Sequence, residues 1–502
     1  MNIEYFFNSL AFIKPEIVIS LGVVVILSLD LFLKNGKKLL PYTSILFLLV
    51  TLYYLVEQMM VMEPAFKPID YFPMVAVDSL GTFFKILVVV ASVFLVLFTM
   101  ITKEFDEKFD RFGEYYTLIF GMILGMFFMI SATDLILIYL SIEMVSLSSY
   151  VLAGFLKPSK RSSEASLKYL IYGAVSSGTM LFGISLLFGL VGSTNLFEIN
   201  KFFSMMGAPS VIVFFSVLLI FAGIGYKISS VPFHFWTPDV YEGAPTPITA
   251  YLSVASKAAG FALLIRFLKL GFIGDIVSDG IWSTLPVFNW QDFLVIISIL
   301  TMTLGNFAAL WQDNVKRMLA YSSIAHAGYL LAALAVQTEA GVLAVMIYFA
   351  IYLLMNLGAF LVVIIINNQV NSEHIDDYDG LGYSMPYLGV MLGLFLVSLT
   401  GLPPTAGFIG KLYVFLALLD KNMLVLALIV LLNSVISLYY YIRVLKHMFL
   451  NKKKEAVEQV PNKIFESSVV FILGAPVLIF GIFFTPLVDF AKTSIHFLFS
   501  AF

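Results

Sequence analysis

Apolar residues fill long, unbroken runs of this chain, and polar residues gather in short segments between them. A helix that crosses a bilayer needs about 20 mostly apolar residues. That length predicts fourteen spans, near 16–33, 41–61, 78–101, 115–131, 135–156, 166–191, 209–231, 248–270, 292–310, 320–336, 341–367, 387–419, 423–449 and 465–485. The runs are apolar on every face and lack period-2 alternation, which predicts helices and not the strands of a barrel. The expected fold class is an all-α polytopic membrane protein. No cleavable leader is expected, because the first apolar run lacks a positive flank and a cleavage site. The last stretch, 486–502, is apolar but too short to span, and is expected at the membrane interface.

Two of these runs are broken. The stretch from Ser210 to Asp239 is interrupted in KISSVPFHFWTP, where Pro232 removes a backbone donor and clashes with the preceding turn. The stretch from Tyr387 to Leu419 is interrupted in TGLPPTAGFIGKLYVF by Gly401, Pro403, Pro404, Gly407 and Gly410. Lys227 precedes the first break and Lys411 follows the second, as two inverted halves require. Interrupted helices at matching positions in two halves point to an ion site. Spans 4–8 and 9–13 are therefore expected to form two five-helix repeats of opposite topology. The chain then divides at 1–114, 115–270, 271–450 and 451–502.

Composition narrows the function. Of 502 residues, 60% are apolar and 12% charged, where a soluble domain carries about 25% charged. A soluble enzyme is excluded. Lys+Arg 29 against Asp+Glu 32 leaves no basic excess for nucleic acid, which is not expected as a partner. Cysteine is absent, which excludes thiolate metal sites and iron–sulfur ligation, and the five histidines form no metal-ligand spacing. No P-loop, GxSxG or complete GxGxxG occurs. With the amino terminus outside, Lys34, Lys37, Lys38, Lys103, Lys108, Arg111, Lys157, Lys160, Arg161, Lys316, Arg317, Arg443, Lys446, Lys452, Lys453, Lys454 and Lys463 fall on the inner side. Lys14, Lys67, Lys201, Lys269, Lys421 and Lys492 fall outside, so both termini are expected to face outward.

Charges inside the spans carry the chemistry. An ionisable group at mid-bilayer costs about 2.5–3.5 kcal/mol, so it pairs, lines water or moves ions. Lys85 is expected to pair with Asp78, seven residues earlier, and Arg266 to snorkel to its helix end. Lys168, beside Glu164 at i, i+4, fits a surface ion pair or a relay equally. Glu143, Lys227, Lys257 and Lys411 lie deep. Low dielectric favours the uncharged amine and a nearby carboxylate favours the ammonium, so such a set can exchange protons. His234 and His326 are the histidines placed to join it. His326 follows Ser322 by one turn in AYSSIAHAGY, although a lone buried histidine also serves a structural role. Tyr169, Tyr172 and Ser176 fit a wet path or helix packing.

The blocks TPDVYEGAPTPITAYLSVASKAAGFALLIRF (237–267), MLAYSSIAHAGY (318–329) and GLPPTAGFIGKLYVF (401–415) resemble the antiporter-like subunits of respiratory complex I. The resemblance runs from about residue 10 to 490 and is to the subunit N family of bacterial NADH–quinone oxidoreductase, equivalent to mitochondrial subunit 2. Sister subunit M has glutamate where this chain has Lys411. The DVYEGAPTP block and the lack of a long lateral helix set the chain apart from sister subunit L. The resemblance implies a fourteen-helix proton-pumping module with no redox centre of its own, an enzyme only within its complex. It implies that Glu143 and Lys227 form the charged pair of a first half-channel, that Lys257 is the central relay, and that Lys411 ends the second half-channel. Lys168 would lead to the cytoplasmic inlet, and His234 and His326 would bridge along the polar axis. FMN, iron–sulfur clusters and quinone would lie in other subunits. Sister antiporter-like subunits, small membrane subunits and the lipid of a bacterial inner membrane would be the partners. A cation/proton antiporter subunit, or the membrane subunit of a related hydrogenase or ferredoxin- or coenzyme-linked dehydrogenase, shares this architecture.

Overall fold

The structure, a computed structural model, describes residues 10–32, 38–60, 73–105, 111–156, 159–206, 210–277, 280–451 and 463–499. Lys34, Lys37, Lys67, Lys108, Lys157, Lys452, Lys453 and Lys454 lie outside these residues. The first spans are α1 (Lys14–Phe32), α2 (Leu40–Met60), α3 (Ser79–Ile101), α4 (Phe112–Ser131), α5 (Leu135–Ala153) and α6 (Lys160–Val191). After a short α7 (Leu196–Met206) come α8 (Val211–Ile228), the short α9 (Trp236–Gly243) and α10 (Thr246–Phe272). The second part holds α11 (Trp290–Ala309), α12 (Val315–Ala335), α13 (Glu339–Val370), α14 (Pro386–Thr400), α15 (Ala406–Asp420), α16 (Leu424–Phe449), α17 (Ile464–Ile482) and α18 (Thr485–Phe499). Among the described residues, 13 helices are long and apolar enough to cross a membrane. α14 and α15, 15 residues each, are the two pieces of the run expected as one span at 387–419.

Polar side chains set where several helices begin. Ser159, Thr338, Asn314 and Asp78 each accept a hydrogen bond from a backbone N–H in the first turn of α6, α13, α12 and α3, satisfying donors that a helix start leaves unpaired. Ser159 lengthens α6 to 32 residues, so Lys168 lies two turns inside it. Both breaks fall where the prolines and glycines predict. The chain leaves α8 at Ser229, with φ +61°, and leaves α14 at Gly401, with φ +88°. A third irregularity carries no proline: Leu252–Ser256 within α10 forms a π-helical turn.

The core lies where α10, α12 and α13 are covered by the other helices. The apolar window of α10 is 100% buried, against 28% for α1, α2 and α6, so the latter present their apolar faces outward, as to lipid. Small residues allow the closest helix approach. A side chain at Gly305 or Gly328 would stand within 3 Å of the facing backbone, so α11 and α12 touch main chain to main chain there. A two-stranded hairpin, Ile273–Val277 with Ile281–Thr284, follows α10. The terminal α18 packs on α3, where the Ser79 hydroxyl donates to the Ser494 carbonyl at 2.7 Å.

Two expectations about buried charge change. Lys85 pairs with Glu16 of α1 at 2.6 Å, not with Asp78. Asp78 is instead gripped at two points by Arg266, 2.6 and 2.8 Å, with both side chains 1% exposed. Arg266 therefore does not snorkel. It points across the bundle to the start of α3, because a bidentate carboxylate compensates a buried guanidinium better than a stretched reach to water.

Candidate functional site

At one end of the bundle the starts of α6 and α12 meet α9. Lys168 binds Glu164 at 2.8 Å and Asp239 at 2.6 Å, and Arg317 binds Asp239 at 2.6 Å and Glu242 at 2.8 Å. Arg161, Glu164, Asp239, Glu242 and Arg317 line an open cleft of ≈190 Å³ here. Burial alone would raise the Asp239 carboxyl, but Lys168 and Arg317 hold it below the ordinary carboxylate range. Lys168 thus keeps its expected Glu164 partner and gains Asp239, which sequence spacing did not reveal. Beside this cleft Lys316, expected in a loop, is 3% exposed and bridges the Ala244 carbonyl and Glu373.

Deeper in, Glu143 on α5 is half-buried and accepts a hydrogen bond from Ser177 of α6. Lys227, in the last turn of α8, is 1% exposed and donates to Ser146 at 3.2 Å. Ser146 stands three residues after Glu143 on the same helix, so carboxylate and ammonium interact through space without direct contact. A side chain at Gly260, one turn beyond Lys257, would meet both Ile228 and the stem of Lys227. The stem of Lys227 therefore lies at the crossing of α8 and α10, beside the residue one turn beyond Lys257.

Lys257 follows the π-helical turn directly. Its ammonium donates to the Ser323 carbonyl at 2.9 Å and to the Ser323 hydroxyl at 2.6 Å. Three residues on, the His326 ring meets Tyr348 at 2.6 Å and Tyr441 at 3.3 Å, and Tyr441 also bonds Ser322 at 2.5 Å. His326 is within electrostatic reach of Lys257 and Lys411. Lys411, just past the second break, donates to the Thr400 carbonyl at 2.7 Å and lies 4.8 Å from the centre of the Tyr329 ring. Gly401 is required here, since a side chain in its place would strike Lys411 Cδ at 2.7 Å on a backbone already at φ +88°.

The structure sets Glu143 near Lys227, and His326 within electrostatic reach of Lys257 and Lys411. His234 is buried in the first break beside Phe235, and its Nδ1 has no hydrogen-bond partner. Sequence reasoning missed Ser146, Ser323, Tyr329, Tyr348 and Tyr441. The signal for part of this set was present: Ser322, Ser323, His326 and Tyr329 recur at helical spacing on α12, whose two charged residues, Lys316 and Arg317, lie in its first turn.

Residues 132–437 match the family described as NADH:quinone oxidoreductase/Mrp antiporter, TM. The chain is 47% identical over 488 residues, 96% of its length and 93% of the relative's, to NADH-quinone oxidoreductase subunit N 2 of Chloroherpeton thalassium. The chain belongs to the subunit N family. A chain of respiratory complex I from Thermus thermophilus superposes with TM-score 0.77 at 28% identity, covering 95% of this chain and 99% of that one. A chain of an archaeal membrane-bound sulfane sulfur reductase superposes with TM-score 0.84 at 23% identity, covering 98% of each, a likeness of fold.

Proposed function

We propose that this chain is a proton-translocating membrane subunit of an NADH–quinone oxidoreductase. Electron transfer from NADH to quinone takes place on FMN and iron–sulfur centres in other subunits, and this chain moves protons in response. The observation that carries the reading is the set of buried ionisable groups Lys227, Lys257, His326 and Lys411, with Lys227 and Lys411 at the two helix breaks and the half-buried Glu143 near Lys227. Each uncompensated charge in the membrane interior is expensive, so their retention argues for use. A change of charge or position at Glu143 alters how firmly Lys227 holds its proton, and Lys227 in turn acts on Lys257 across the helix crossing. Ser323 and His326 offer the next acceptors, and Lys411 ends the relay.

Lys168 with Asp239 forms the polar inlet on the cytoplasmic side in this reading, with both termini on the outer side of a bacterial inner membrane. Spans 4–8 and 9–13 act as inverted halves, each with one broken helix. Sister antiporter-like subunits and small membrane subunits flank the chain. His234, buried next to the first break, bridges along the polar axis in this reading. Protons suit this set better than sodium, which requires oxygen ligands. The fold shared with the sulfane sulfur reductase chain favours, as second reading, a membrane subunit of a related complex or cation/proton antiporter. Peripheral flavin and iron–sulfur subunits that co-purify with the chain support the first reading, and small antiporter subunits the second.

The test is the proton-to-electron ratio of the purified complex in liposomes, for wild type, Lys227→Ala and Lys411→Ala, with assembly followed on native gels. Assembled variants whose pumping falls support the relay. Assembled variants that pump normally make these lysines structural.

A further inference from the structure

Lys411 has no carboxylate at salt-bridge distance among the described residues. Its recorded contacts are the Thr400 carbonyl and the face of the Tyr329 ring. A ring face attracts a cation only while it is turned towards it, so whatever fixes the ring controls the setting of Lys411. The Tyr329 hydroxyl accepts a hydrogen bond from Asn306 Nδ2 at 2.9 Å. The same amide donates to Asn433 at 3.1 Å and accepts from the Tyr440 hydroxyl at 3.0 Å. Asn306 is fully buried, and its amide is tied to both neighbouring helices, α12 and α16. Its height is set by the backbone, because Gly305 and Gly328 are the residues directly before Asn306 and Tyr329. Their lack of side chains lets α11 and α12 meet at this level.

We infer that Asn306 is a positioning residue for proton transfer: its buried amide anchors the Tyr329 hydroxyl, and the anchored ring is the cradle in which Lys411 carries its charge. The inference rests on the proposed role of Lys411 and adds to it two residues with no charge of their own. An amide serves this purpose where a carboxylate would not. A buried carboxylate would hold Lys411 in a permanent ion pair, whereas a ring face stabilises the ammonium moderately and lets the proton leave. The anchor also joins three helices of the second half, so a shift of α16 against α12 reaches Lys411 through the ring.

The test measures coupled proton pumping by the whole complex in liposomes, normalised to assembled complex on native gels, for five variants. Tyr329→Leu removes the face and is expected to lower pumping about tenfold. Tyr329→Phe keeps the face without its anchor, and Asn306→Leu removes the anchor from the other side. Each is expected to lose about threefold, and the double variant clearly less than the product of the two losses, because both cut the Tyr329–Asn306 bond. Losses that multiply in the double variant, or a wild-type rate in Tyr329→Leu, overturn the inference. Should Tyr329→Leu fail to assemble, the comparison of Tyr329→Phe, Asn306→Leu and their double variant decides alone. Lys411→Ala, run alongside, separates the two claims: if it pumps normally, the role of Lys411 falls, and if only it loses pumping, the cradle alone falls.

Discussion

The Lys257 ammonium donates to both the carbonyl and the hydroxyl of Ser323, at 2.9 and 2.6 Å. The π-helical turn Leu252–Ser256 ends directly before Lys257, and such turns recur at functional positions because they displace one side chain from regular helical phase. Ser323→Ala removes one of two acceptors and leaves the carbonyl. A hydrogen bond to a charged group contributes about 1.5–3 kcal/mol, so coupled pumping is expected to fall about tenfold with assembly intact. Proton uptake by proteoliposomes, read against quinone reduction, checks this, and a wild-type ratio would show the hydroxyl to be idle.

Tyr441 joins Ser322 to His326 through one hydroxyl. Tyr441→Phe keeps the ring and its packing on Tyr440 while removing both contacts. Pumping is expected to fall by about three- to tenfold, with each lost neutral bond worth about 1 kcal/mol. If His326→Gln and Tyr441→Phe are each impaired and their combination is no worse, the two act as one unit.

Asp78 and Arg266 form the most deeply buried ion pair of the described chain, both 1% exposed. Asp78→Asn leaves a guanidinium uncompensated, a loss of about 3–5 kcal/mol. The assembled complex should become scarce on native gels and denature at lower temperature. Combining Asp78→Asn, which can still cap α3, with Arg266→Met should recover most of the loss, because no guanidinium is then left buried without a partner. Failure to recover would assign the pair a role beyond stability.

Asp239 ties Lys168 to Arg317, and its carboxyl is held below the ordinary range. A depressed folded value stabilises the protein above the unfolded carboxyl value of about 3.9, and the stabilisation fades as pH falls through the folded value. Wild type should therefore exceed Asp239→Asn in thermal stability by a constant margin from about pH 5 to 8. The margin, about 1 kcal/mol or less for a partly exposed pair, should close on acidification below about pH 4 and shrink in high salt. A margin that grows with acid would contradict the assignment.

Glu143, Lys227, Lys257 and Lys411 were legible because a charge in an apolar run stands out against its neighbours. Both breaks were legible because proline and glycine act on the backbone locally. The hydroxyls of Ser323, Tyr329, Tyr348 and Tyr441 were not, since serine and tyrosine are common in membrane helices for packing, and nothing local says which of them faces a lysine. Lys85 and Arg266 show the same limit for charge. The nearest acid along the chain to Lys85 was not the nearest in space, and Arg266, expected to reach water at its helix end, pairs across the bundle instead.

Sequence by itself determined the helices, the interrupted spans and the identity of the buried ionisable groups, because these depend on hydrophobic length, backbone chemistry and the cost of charge in lipid. Tertiary structure alone decided who meets whom: Lys85 with Glu16, Arg266 with Asp78, Lys168 with Asp239, Lys411 with Tyr329. Those pairings depend on the rotation and height at which helices far apart in the chain pack. Both are set by close contacts such as Gly305 and Gly328, which no local pattern of residues specifies.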